Sequence, residues 1–145
     1  MNNELDELLC QSYPLIFAER HLSQMQTCMC WGIACGDGWF DLIDALCERL
    51  QFWTDHNNAP QVVARQVKEK FGTLRFYSRE ANETQRGMIY MAEAMSARIC
   101  DQCGRPGRTL VHKHGHMTRC TEHAPDGAIT LEAFLAQRKE PGIAP

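Results

Sequence analysis

No run of apolar residues in this chain approaches the roughly 18 needed to cross a bilayer. The opening Asn2-Asn3-Glu4 is polar and acidic, where a secretory leader would join a basic region to an apolar one. Both absences point to a cytoplasmic protein without a membrane partner. A glycine-rich phosphate loop, a Gly-x-Ser-x-Gly elbow and an internal repeat are also missing, so the motifs of P-loop enzymes, α/β-hydrolases and solenoids are not met. Basic residues are scarce in the first 60 positions, where Arg20 and Arg49 face nine acids, a balance of −7. Residues 61–145 carry thirteen basic residues against nine acids, or +4, and the two parts sum to −3. The first part repels anions; the second accepts them weakly by the standard of a dedicated nucleic-acid binder.

Cysteine is plentiful, with eight in 145 residues, and a reducing compartment favours metal ligation over disulfides. Cys100-Asp-Gln-Cys103-Gly104 and Cys120-Thr-Glu-His123 are two tight pairs, with sixteen residues between Cys103 and Cys120. A gap of two residues lets both members of a pair reach one ion from a single turn, and paired motifs of this kind are a strong metal signal. Gly104 suits the knuckle because its backbone takes positive φ without a Cβ clash. Cys100, Cys103, Cys120 and His123 supply four donors and close a tetrahedral site, so one structural Zn²⁺ per chain is expected. Cys28, Cys30, Cys35 and Cys47 are irregularly spaced, and Cys47 lies on an apolar stripe. These four read as buried thiols before they read as a second metal site.

At 44 % hydrophobic content the chain has material for one core. Residues 2–20 read as helix, with Leu5, Leu8 and Leu9 inward, Glu4, Asp6 and Glu7 outward, and a break at Pro14. Asp37, between two glycines, is a candidate cap for a helix over 39–54 striped by Phe40, Ile43, Leu46, Cys47, Leu50 and Trp53. Val62, Val63 and Val67 suggest an extended stretch. Gly72 marks a turn, and 73–78 alternates as a strand burying Leu74 and Phe76. Asn82 or Thr84 caps a helix over 84–99, whose Met88, Met91, Ala92, Met95 and Ile99 are read as core. Two strands around His114-Gly115 form a hairpin between the ligand pairs, a short helix covers 130–139, and 141–145 is a tail. The expected fold is α+β, with helices on a small antiparallel sheet and a treble-clef or zinc-ribbon-like module. It divides into a core over 1–99 with acidic N-terminal helices, a zinc module over 100–124, and a C-terminal helix and tail over 125–145.

Three surfaces are candidates for function. Trp39, Asp41, Asp44 and Glu48 on the acidic helix are a possible protein contact, set against a plain solvated face. Lys68, Lys70, Arg75 and Arg79 interleave with Phe71, Phe76 and Tyr77; with Arg105, Arg108, Lys113 and Arg119 of the hairpin they suit nucleic acid, bases stacking while cations hold phosphate. His112, His114 and His116 alternate, as a metal-dependent nuclease of the HNH type would use a histidine base, with Glu122 and Asp126 the nearby acids.

The combination of Cys35-Gly-Asp-Gly-Trp39-Phe-Asp-Leu-Ile43, Val67-Lys-Glu-Lys-Phe-Gly-Thr-Leu-Arg-Phe-Tyr77 and Ser96-Ala-Arg-Ile-Cys100-x-x-Cys103-Gly, closed by Cys120-x-x-His123, resembles a family of small proteins encoded mainly by bacteriophages and prophages. The resemblance covers about residues 28–124. It implies a phage accessory protein in a bacterial cytoplasm, carries over no catalytic residue and does not include the histidine run. The leading expectation is therefore a zinc-stabilised protein that binds a bacterial host protein and inhibits a defence or transcription complex. Nucleic-acid binding is the alternative and nuclease activity the second.

Overall fold

The computed structural model describes residues 1–139, so the tail expected over 141–145 lies outside the described residues. In chain order come α1 (Asn3–Ser12), a 3₁₀ turn at Cys28–Trp31, β1 (Ile33–Ala34), a second 3₁₀ turn at Asp37–Trp39 and α2 (Phe40–His56). Then follow β2 (Val63–Lys70), β3 (Thr73–Arg79), α3 (Glu83–Ser96), β4 (Arg108–His112), β5 (Gly115–Arg119), β6 (Ile129–Thr130) and α4 (Leu131–Lys139). The fold is α+β, as expected. Its first sheet is mixed rather than antiparallel: β1 joins β2 in parallel, and β2 pairs with β3 antiparallel. A second sheet, ordered β5-β4-β6, is antiparallel throughout.

Alternation decides what β2 and β3 bury. Leu74 and Phe76 are inside, with Ala64 and Val67 from the neighbouring strand and Val62 just before it, in one core with Ile43, Leu46, Cys47 and Leu50 of α2. The helical stripe of α2 thus follows the sequence reading. Phe71 and Gly72 close the hairpin with φ of 53° and 81°, as a two-residue turn matched to the twist of the strands requires. α3 begins with a full capping box: Asn82 accepts from the Gln85 amide, and Gln85 returns the bond to Asn82. β3 is an edge strand, and α3 covers it. Its Leu74 amide donates to Ser96 Oγ at 2.8 Å and its Phe76 amide to Glu93 at 2.9 Å.

Four expectations change. Asp6 is buried, not solvated. Its carboxylate accepts from Arg20 Nε at 2.9 Å and from the Ile33 amide at 2.6 Å, tying α1 to β1; Leu8 of the expected stripe is exposed. Asp37 does not cap α2 and instead accepts from the Asn2 amide and side chain. The buried positions of α3 are Gln85, Ile89, Ala92 and Ser96, which leaves Met91 and Met95 outside the core. Cys28 is exposed and Cys30 partly so, while Cys35 and Cys47 are buried thiols.

Asp6→Ala removes one partner of a largely buried ion pair and also leaves the Ile33 amide unbonded. Its expected cost is about 3 kcal/mol, read as a lower urea midpoint with an unchanged slope. An unaltered midpoint would show that the α1–β1 tie contributes little.

Candidate metal centre

Cys100, Cys103, Cys120 and His123 form a group able to hold a metal ion, their ligand atoms all within 4.8 Å of one another. The Cys103 and Cys120 sulfurs are 3.7 Å apart, and His123 Nδ1 lies 3.6 Å from Cys100 Sγ and 3.3 Å from Cys120 Sγ. Around an ion with bonds of about 2.3 Å to sulfur and about 2.0 Å to nitrogen, tetrahedral edges are about 3.8 Å (S to S) and about 3.5 Å (S to N). These three separations match the edges of that tetrahedron. Among the described residues it is the one such cluster.

Local chain geometry explains the convergence. After α3 the backbone turns at Cys100–Gly104, where the Gly104 amide donates to the Cys100 carbonyl at 2.9 Å and Gly104 sits at φ 76°. The β4–β5 hairpin then returns the chain, and a single turn, His123 amide to Cys120 carbonyl at 3.2 Å, presents the second pair. Burial pushes the Cys100 thiol up, but the backbone amides of Cys120, Gln102 and Cys103 and the His123 ring outweigh it and bring it down to about 6. A thiol primed as thiolate is the form that binds metal. Burial pushes Cys35 up to about 12 and Cys47 well above the ordinary thiol range, so neither offers a ready thiolate.

The module is seated on the core by backbone contacts. Gly38 donates to the Asp101 carbonyl at 2.9 Å, and fully buried Trp39 donates from Nε1 to the Ile99 carbonyl at 2.8 Å. A Cβ on Gly38 would lie 2.2 Å from the Cys100 oxygen, 2.5 Å from the Gly104 nitrogen and 2.7 Å from the Cys103 nitrogen. On Gly36 it would meet the Asp101 oxygen at 1.9 Å. These glycines, which read as turn residues in the sequence, form the cradle of the metal knuckle. On the other side, buried Thr118 donates to the Gly72 carbonyl at 2.6 Å, and a Cβ on Gly72 would meet the Met117 amide at 3.0 Å. The turns at Gly36–Gly38 and at Gly72 therefore both pack against the segment that carries the four ligands.

The remaining candidates disperse. Trp39 is interior and presents nothing to a partner, which corrects its place on the protein-contact surface. Asp44 accepts from the Tyr13 hydroxyl at 2.7 Å, and Glu48 pairs with its neighbour Arg49; Asp41 is exposed. In the hairpin, Arg105 pairs with Glu122 at 2.6 Å and Arg119 with buried Asp101, whereas Arg108 and Lys113 are exposed without an acid partner among the described residues. His112 and His114 rings stand 5.2 Å apart, but His116 is on the other strand, edge-on to Phe71 at 5.8 Å and to Phe134 at 6.4 Å. The turn at 113–114 parts His116 from His112, and no carboxylate joins the three in a metal-binding group among the described residues. Fold and site define a small α+β protein with a Cys₃His cluster able to hold a metal ion. No protein-family model, curated protein or solved structure matches the chain.

Proposed function

We propose that the ion is a structural Zn²⁺ and that the protein is a binding module engaging single-stranded nucleic acid on the open face of its first sheet. Zinc matches the thiolate and imidazole donors and the tetrahedral edges, and four protein ligands leave no position for water. The observation that carries the partner is on β2 and β3. Lys68 lies directly opposite Arg75, and Gln66 opposite Tyr77, on the face turned away from Leu74 and Phe76. Like charges directly opposite each other destabilise a sheet, and neither cation has a carboxylate partner among the described residues. Tyr77 shares that face with the pair, and at the hairpin tip stands Phe71, 66 % exposed, with Lys70 Nζ 5.7 Å from its ring centre and His116 edge-on to it. An L-residue in the left-handed region costs about 1–2 kcal/mol, and turns of this type favour Asn or Gly at that place. Phe71 accepts that strain and projects a ring for stacking. Unpaired cations beside exposed rings are the equipment for holding a flexible polyanion.

The test is Lys68→Glu, followed by fluorescence anisotropy of a labelled single-stranded oligonucleotide across a salt series. The substitution places an acid opposite Arg75, so the expected result is a slightly higher thermal midpoint together with at least a tenfold loss of binding. A wild-type protein that binds neither DNA nor RNA strands at low salt would sink the proposal. A bacterial host protein is the second reading, favoured by the exposed carboxylate of Asp41 in an acidic half and by the resemblance to phage-encoded proteins.

A further inference from the structure

The outer face of α3 is the unexplained surface of this molecule. Tyr90 and Met91 are each 64 % exposed and Met95 is 40 % exposed, while Ala94 is open to solvent beside them. Gly87 lies in the same row in the helix interior, where glycine is the worst residue after proline. A Cβ there would meet nothing within 4 Å, so no neighbour in the protomer demands a glycine. An apolar row with a small residue at its centre is what another helix needs for close approach.

The charges say which helix. Glu83, Gly87, Met91 and Ala94 recur along α3 at intervals of four, four and three residues, which keeps them on one face, and Arg98 follows in the turn two residues past the end of the helix. Glu83 and Arg98 are exposed at the two ends, and neither has an ion-pair partner among the described residues. Read backwards, this face complements itself about the midpoint between Tyr90 and Met91. Glu83 then meets Arg98, Gly87 meets Ala94, and Tyr90 meets Met91. A two-fold contact requires this self-complementarity. We infer that the occupant of this face is a second copy of the chain, docked antiparallel through α3. A seam of one short helix falls below the roughly 800 Å² per partner of a standard interface, so the dimer is expected to be weak and to form only as concentration rises. The inference stands apart from the nucleic-acid proposal, since the two surfaces share no residue.

Sedimentation velocity of the metal-loaded protein from about 1 to 200 μM is the test, with variants whose fold is checked by circular dichroism. Wild type should pass from monomer to dimer across this range. Glu83→Arg and Arg98→Glu should each weaken association at least tenfold, and the double exchange should restore it. Gly87→Leu replaces a poor helix residue with a good one in open space. It should raise the thermal midpoint of the dilute monomer and still weaken association at least tenfold. A wild type that stays monomeric throughout would overturn the inference and leave the face to a different protein. A dimer indifferent to both the charge exchange and Gly87→Leu would overturn it equally, because the seam would lie elsewhere.

Discussion

Cys103→Ser should release the metal and unfold residues 100–124 while the helical core persists. Cys103 is exposed, so burial gives no reason for its loss to matter; exposed positions usually change stability by less than about 0.5 kcal/mol. Ligation predicts something far larger, because a structural zinc contributes on the order of 10 kcal/mol of apparent folding free energy to a module with little core of its own. Native mass spectrometry should find one zinc per wild-type chain and none in the variant. Hydrogen exchange should show lost protection along β4 and β5. If the variant kept wild-type protection and midpoint, the ion would have no structural role. Acid should do what the substitution does. In the folded knuckle burial raises the Cys100 thiol, but backbone amides and the His123 ring outweigh it and favour the thiolate, bringing it from 9.0 to about 6. That contribution is complete above the ordinary thiol value and fades as pH falls through about 6. Metal loss should follow the same direction, since protons compete with the ion for sulfur and imidazole.

Gly38→Ala should damage the fold far more than the addition of one methyl group usually does. The added carbon would press on three backbone atoms of the knuckle, all closer than 3.0 Å, and backbone cannot rotate aside as a side chain does. Overpacking of this kind costs about 3 kcal/mol at the upper end of its usual range. The hydrogen bond from the Gly38 amide to Asp101 would be lost with it. Zinc should still bind, because no ligand is touched. The expected signature is therefore full metal content with a lower thermal midpoint and raised exchange at 36–39 and 100–104. Full metal content with an unchanged midpoint would mean that knuckle and core separate at no cost.

Much of this was legible in the sequence, and the exceptions have physical causes. The metal ligands could be read because two-residue gaps are set by the size of the ion and by the reach of one turn. α2 could be read because Asp41 and Glu48 mark its wet side and leave only one phase for the apolar stripe. α3 offers no such mark: Met88, Ile89, Tyr90, Met91, Ala92, Ala94 and Met95 surround it, so its buried side is fixed only by what β3 and α2 present. Asp6 is charged and reads as solvated until Arg20 and the Ile33 amide, 14 and 27 residues away, are brought to it. Trp39 went astray for the converse reason. An aromatic at a helix start suggests a contact, and the carbonyl that satisfies its indole is 60 residues distant.

The cradle also bears on how this protein can change. Gly36 and Gly38 touch the knuckle through its main chain, at atoms every amino acid possesses. Gln102 can therefore drift freely without disturbing the fit, whereas the two glycines cannot drift at all. A chimera that imported a foreign knuckle of equal length onto this core should fold, and one that imported the knuckle's neighbours while replacing the glycines should not. What is inherited together is a shape shared by two distant segments, and only one of them shows it in its letters.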